Sequence, residues 1–461
     1  MNSLRKMRMA VSWAIVTARG SERARGGLVN AAFGILDYLA QPLGMLMAAP
    51  FLIHSLGLSQ YGMWMLASAT VGAAGLLSTG FGDATIRYAS FFRGRGEWYR
   101  VNQVVGGTIL INLVLSTTVA ITLWVSSPYA VHHWFRIEPE LQNSCVKALQ
   151  IGSVLLVVRS IDSVFVSVLR AFEQYRPAVE IAVCIRATTI IVAVGLVAKG
   201  QGVVSIMVAT LAIATVGMVL QAMAVRARVG PVPLLPVWHR NALAGLLSFG
   251  GFSWLQGLSG IVFNQADRLI IGSLLGTSSV AYYSVCTQAA QPIHGLVASG
   301  LHFLFPHLSA RDCTAERTAL QVVISTAFWL NAVLVLSLSL PVILLSKPLL
   351  ALWMGPAFAH HTWLILTLLA ISFGLLGLNV TGHYTLLALG EAQYVTCLNL
   401  VAGVITLIAI GALIPRFGLV GAAAGRLFYG PITWVMYLKI RRLMPDLESH
   451  QASAAEALSA S

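Results

Sequence analysis

Charge is what this sequence lacks most. Only 10% of its 461 residues are Asp, Glu, Lys or Arg, while 57% are hydrophobic. A soluble domain keeps about a quarter of its residues charged, so a water-solvated globule is excluded. Long polar stretches are missing too, which leaves no room for a separate soluble domain. Nowhere is there the short alternating pattern that a transmembrane β-barrel needs. The five cysteines, Cys145, Cys184, Cys286, Cys313 and Cys397, lie far apart with no CxxC and no metal-like spacing. They act as small apolar residues and say little about redox compartment. No Walker A sequence is present, so the chain does not itself hydrolyse ATP. Neither HExxH nor GxSxG occurs. The pair His132-His133 with Glu138, and the pair His360-His361, are weak candidates for catalysis. An enzyme is therefore not expected.

What the chain has is apolar length. A helix needs roughly 20 apolar residues to cross the hydrocarbon core. Such stretches fall near 28–53, 60–82, 101–125, 146–170, 177–198, 202–225, 243–267, 278–305, 319–345, 361–388, 393–414 and 418–439. The pattern predicts an all-α integral membrane protein with twelve transmembrane helices in two parallel six-helix lobes. The expected organisation is a basic cytoplasmic segment 1–27, an N-lobe 28–226, a cytoplasmic loop 227–242, a C-lobe 243–440 and a polar tail 441–461.

Lys and Arg set the orientation. The N-terminus carries Arg5, Lys6, Arg8, Arg19, Arg23 and Arg25, and the loops on the same side add Arg87, Arg93, Arg95, Arg100, Arg170, Arg176, Arg226 and Arg228. The opposite side has only Arg136, Lys147, Lys199, Arg268, Lys347 and Arg416. The positive-inside rule then places both termini in the cytoplasm. The formal net charge of +13 and the pI near 9.9 reflect these loops touching anionic lipid heads, not nucleic acid. Met9–Ala18 is apolar but short, and reads as an interfacial helix on the cytoplasmic leaflet.

The two halves resemble each other. Leu56-Gly57-Leu58-Ser59 matches Leu275-Gly276-Thr277-Ser278 at an offset of 219. Leu169-x-x-x-Glu173 matches Leu387-x-x-x-Glu391 at 218, and Gly202-Val203 resembles Gly418-Leu419 at 216. Six-span repeats with the same topology are related by an axis along the membrane normal and usually enclose a site between the lobes.

Charges inside spans are costly, about 2.5–3.5 kcal/mol each on insertion scales, and normally face a polar cavity. The chain has Asp37 in span one, Arg159 and Asp162 in span four, Arg186 in span five and Arg426 in span twelve. Arg159 and Asp162 share one helix face and read equally well as a mutually neutralising structural pair. Gln256, Gly260, Asn264 and Asp267 make a polar stripe on span seven. Span eight carries Gln288, Gln291, His294 and His302 beside a kinking Pro292. These polar side chains would either line the cavity or bond helices together. Gly421-x-x-x-Gly425 reads as a packing motif, and His383 as a core histidine.

Gly57-x-Ser59-x-Tyr61-Gly62 and Gly80-x-Gly82-Asp83-x-x-x-Arg87 flank span two. In the second half stands Asp267-Arg268-x-x-Ile271-Gly272-x-x-x-Gly276-x-x-x-Val280-x-x-Tyr283. With the twelve-span layout, these residues make residues 28–440 resemble bacterial polysaccharide-unit flippases. Those belong to the multidrug/oligosaccharidyl-lipid/polysaccharide (MOP) flippase superfamily, whose fold is MATE-like. The basic stretch before residue 27 departs from that family's usual short N-terminus, and the extra spans of the lipid II flippase branch are missing.

The resemblance implies a polyprenyl-pyrophosphate-linked oligosaccharide as substrate. It would be carried from the cytoplasmic to the periplasmic leaflet of the bacterial inner membrane for O-antigen, capsule or exopolysaccharide synthesis. Arg159, Arg186 and Arg426 would bind the anion by charge-assisted hydrogen bonds. Asp37, Asp162, Gln256, Asn264, Gln288 and Gln291 would be polar cavity or ion-coupling groups. No cofactor and no metal is expected, only a coupling H+ or Na+. Membrane lipids, a polysaccharide polymerase and glycosyltransferases are the expected partners. Two other readings stay open. One is a cation-coupled multidrug antiporter of the same fold, and the other is a non-transporting scaffold subunit of a polysaccharide assembly complex.

Overall fold

The computed structural model describes residues 42–78, 81–230, 232, 235–238, 265–301 and 317–443. Asp37, Gln41, Gln256, Gly260, Asn264 and His302, and the basic N-terminal segment, lie outside the described residues. Among those described, every regular element is helical. In chain order these are α1 (Pro42–Leu56), α2 (Leu58–Ser78), α3 (Gly82–Gly94), α4 (Trp98–His133), α5 (Pro139–Ala171), α6 (Tyr175–Ala198), α7 (Val203–Arg228), α8 (Ala266–Leu274) and α9 (Thr277–Leu301). They continue as α10 (Arg317–Leu344), α11 (Ser346–Met354), α12 (Pro356–Leu378), α13 (Val380–Ala388), α14 (Ala392–Arg426), α15 (Tyr429–Thr433) and α16 (435–443).

Seven described stretches are long and apolar enough to cross a membrane: α4, α5, α6, α7, Val323–Leu344, Pro356–Ala388 and Ala392–Leu443. The all-α, membrane-spanning class expected from hydropathy is therefore what the chain adopts. Expected spans eleven and twelve share α14, which breaks at Gly418 with φ 56° and ψ −136°.

The chain forms two compact units. One is built from Leu39–Gln288 and Ile410–Ala422, the other from Ala289–Ala409 and Ala423–Ser461. In the first, Phe81 capping α3, Ala84 of α3, Val104 and Ile109 of α4, Phe165 and Val168 of α5, and Val225 of α7 form a buried core. Glycines let the helices close in. A Cβ at Gly152 would sit 2.3 Å from Val71, and one at Gly217 would sit 2.9 Å from Ile185. Buried polar groups then join the helices, as expected where lipid cannot hydrogen-bond. Thr85 and Thr108 share a 2.8 Å hydroxyl contact, Asn112 donates to the Ser160 carbonyl, and Gln221 donates to the Ala178 carbonyl.

In the second unit, Val297 and Leu301 of α9 pack with Val335 of α10 and Val380 of α13. Asn331 on α10 donates to the Gly377 and Leu378 carbonyls at 3.0 and 3.2 Å and to Thr381 Oγ1 at 3.1 Å. Asn379 donates to the Gly430 carbonyl at 2.9 Å and to Thr433.

The repeat shows in the turns. Gly57 and Gly276 have φ of 80° and 87°, at the offset of 219. After spans four and ten, however, the left-handed residues are Glu173 (φ 61°) and Gly390 (φ 83°), which are 217 apart. The flanking bonds agree: Gln174 N donates to Leu169 O and Glu391 N to Leu386 O. The offset of 218 read from Leu-x-x-x-Glu is thus one residue out of register, because the turn's hydrogen bonds, not its side chains, set the match. At the third match the backbones differ, with Gly418 at φ 56° and Gly202 at φ −87°.

Candidate functional site

Arg159 and Asp162 stand three residues apart on α5, and Arg186 stands on α6. The two helices are antiparallel neighbours joined by the turn at Phe172–Gln174, so mid-helix residues on facing sides come to the same depth. The charges are close enough to act on one another: Arg159 and Arg186 repel, and both attract Asp162. Arg159 is exposed, while Arg186 and Asp162 are half-buried. Asp162 Oδ1 is buried and makes no hydrogen bond among the described residues. Arg159 therefore attracts Asp162 without a hydrogen bond to that oxygen. Two guanidinium groups and one carboxylate leave this membrane-embedded cluster with excess positive charge. Such a cluster can draw in an anion and replace part of its lost hydration.

Arg426 belongs to the other unit. It is 5% exposed at the end of α14, with its guanidinium 4.7 Å from the centre of the Phe373 ring. Its carbonyl accepts a 3.0 Å bond from Ser372 Oγ. Its charge reaches His294 on α9 and Tyr429 on α15. His383, on α13, lies edge-on to Tyr384 at 5.5 Å and also acts on His294. Sequence reasoning did not group the two histidines with Arg426, because they come from spans eight, ten and twelve.

Gln288 bonds helices within the first unit. Its Nε2 donates to Tyr61 Oη at 3.4 Å and to Met65 Sδ at 3.6 Å. Gln291, one turn on, is half-buried in the second unit. Asp267 is 2% exposed and structural: Tyr283 Oη donates to its Oδ2 at 2.8 Å, and the Arg268 N–H donates to its Oδ1 at 2.8 Å. These contacts explain why Asp267-Arg268 and Tyr283 occur together. Gly421 gives close packing, with a Cβ there 2.4 Å from Leu413 O. Glu138 and His132 are spent on Ser59 and Gln142, and no group of three His, Cys, Asp or Glu among the described residues could hold a metal.

Comparison with known proteins places this arrangement. Among solved structures, the lipid II flippase MurJ in an inward closed conformation superposes with a TM-score of 0.72 at 14% identity, covering 89% of this chain and 87% of its own. An inward-facing multidrug resistance MATE transporter of the MOP superfamily gives 0.70 at 16% identity, covering 90% and 99%. These likenesses show the fold, and it is the MATE-like one the sequence resemblance implied. A Shigella flexneri protein named "Putative O-antigen transporter" is 22% identical over 414 residues, 86% of this chain and 92% of its own length. The family described as polysaccharide biosynthesis protein matches residues 56–322. That match spans more than half of the chain, and the protein belongs to the polysaccharide biosynthesis protein family.

Proposed function

We propose that this protein flips a polyprenyl-pyrophosphate-linked oligosaccharide from the cytoplasmic to the periplasmic leaflet of the bacterial inner membrane by alternating access. The observation that carries this reading is the Arg159–Arg186–Asp162 cluster, with its excess positive charge on two adjacent membrane helices. Placing guanidinium groups at membrane depth is costly, so the excess positive charge calls for an anionic partner. The pyrophosphate, or acidic sugars, supplies it. Arg426 provides a further cation, and the polyprenyl tail stays in the bilayer. The names of the Shigella flexneri relative and of MurJ support a lipid-linked glycan cargo. Asp162 or Asp37 would carry a coupling H+ or Na+. A neighbouring polymerase and glycosyltransferases would consume and supply the cargo.

The deciding experiment deletes the gene and measures lipid-linked glycan together with surface polysaccharide. The expected result is loss of surface polymer and a build-up of undecaprenyl-linked units on the cytoplasmic leaflet. Wild type restores both, whereas Arg186→Ala/Arg426→Ala at equal membrane abundance does not. A cation-coupled drug antiporter is the second reading, favoured by the Asp162 Oδ1 atom, buried with no hydrogen bond among the described residues. Normal surface glycan with altered tolerance to cationic drugs would establish it instead. Full complementation by the double arginine variant would point to a scaffold.

A further inference from the structure

The chain that leaves the first repeat is fastened to it, all within one compact unit. α7 ends at Arg228, and Gly230 follows in the left-handed region at φ 99°. Glycine takes that conformation without strain and turns the chain off the helix. Val229 and Val232 then join the buried core to which α4 contributes Val101, Val104 and Val105. Further on, the Val237 N–H donates to the Gly106 carbonyl of α4 at 3.1 Å. A Cβ at Gly106 would lie 2.6 Å from the Val237 Cβ. The seat for Val237 therefore exists only because residue 106 has no side chain.

The outer side of this strap is apolar. Leu235 is 74% exposed and Trp238 is 77% exposed. The length of α4 sets the depth at which they lie. Its 36 residues give about 54 Å, against about 30 Å for the hydrocarbon core. Centred on the bilayer, α4 projects about 12 Å at each end. Gly106 stands eight residues, or about 12 Å, along α4 from its first residue, Trp98. The seat thus falls at the edge of the hydrocarbon, the level at which tryptophan concentrates in membrane proteins. Arg226 and Arg228, both exposed at the end of α7, precede the strap and complement anionic headgroups.

We propose that Leu235 and Trp238, held by the seat of Val237 on Gly106, anchor the chain after α7 in the headgroup boundary of the leaflet on the arginine-rich side. The partner is the lipid surface itself. The proposal does not depend on what the protein carries. One face of the strap is fixed to α4, so its outward residues meet the bilayer at a set depth instead of trailing in water.

The test uses the full chain in vesicles of phosphatidylethanolamine and phosphatidylglycerol. Cys184→Ala, Cys313→Ala and Cys397→Ala remove competing thiols. Leu235→Cys, Trp238→Cys and Arg228→Cys are then spin-labelled one at a time. Relaxation by oxygen, which partitions into lipid, is compared with relaxation by a water-soluble nickel chelate. At 235 and 238 oxygen should be several-fold more effective than nickel, with the reverse at 228. Gly106→Leu fills the seat, so both strap labels should lose most of that preference. Gly106→Ala, which adds only the Cβ, is the second variant should Gly106→Leu fail to accumulate. Strap labels relaxed mainly by nickel would overturn the proposal, since the strap would stand in water. Labels shielded from both reagents would overturn it too, because another protein surface would then cover the strap. An oxygen preference that survives both Gly106 variants would refute the role of the seat.

Discussion

Single side chains here work by satisfying groups that lipid leaves unsolvated. Asn331 is the clearest case, since its amide bonds three acceptors around the α12–α13 junction. Asn331→Ala is expected to cost roughly 1 kcal/mol, the usual scale for inter-helix polar bonds in membranes. A thermal-melting comparison in detergent would check it. Arg159 is the opposite case, because it is repelled by Arg186 while Asp162 attracts it. Arg159→Gln should raise the melting temperature by a few degrees while lowering flipping at least about tenfold, the size of one lost charge-assisted contact. Reduced flipping with reduced stability would make Arg159 a structural residue instead. These charges were legible in the sequence as intramembrane outliers. Their grouping was only half legible: Arg159 with Asp162 follows from helix spacing, whereas Arg186 joins them only when α6 packs beside α5. The polar role of Gln288 was legible, but not its partner Tyr61, 227 positions away.

Turns and close helix contacts govern the elements. Gly390 sits at φ 83°, where its counterpart Glu173 is held at φ 61°. A left-handed non-glycine residue costs about 1–2 kcal/mol. Gly390→Ala is therefore expected to destabilise by about 1 kcal/mol in the same melting assay, whereas Glu391→Gln should change little. The Glu391–Lys439 bridge, at 3.4 Å and about a third exposed, belongs to the class worth about 0–1 kcal/mol. At Gly152, a Cβ would meet Val71 at 2.3 Å. Gly152→Leu should cost roughly 1–3 kcal/mol, as overpacking does, and show as lower membrane abundance. Hydropathy located these helices well. It could not reveal the break at Gly418 inside α14, because a glycine in an apolar run looks the same whether it continues the helix or turns it.

At the scale of the molecule, the balance of charge inside the membrane decides what can pass. The cluster on α5 and α6 has two cations and one anion, and Arg426 adds a cation among His294, His383 and Tyr429 in the second unit. If Asp162 carries the coupling ion, Asp162→Asn should leave glycan binding intact while removing the dependence of flipping on an imposed H+ or Na+ gradient. Gradient-dependent transport by this variant, measured in proteoliposomes, would move the coupling role to another carboxylate.

The sequence by itself determined the solvent and the repeat. With 10% charged residues and long apolar runs, no fold but membrane-spanning helices satisfies the backbone, and recurring Gly-Ser turns betray the duplication. Tertiary structure alone decided which distant residues became neighbours. Ser59 meets Ser278 of the other repeat, Arg186 joins Arg159, and His294 joins Arg426, since helix packing and not sequence spacing sets distances between spans.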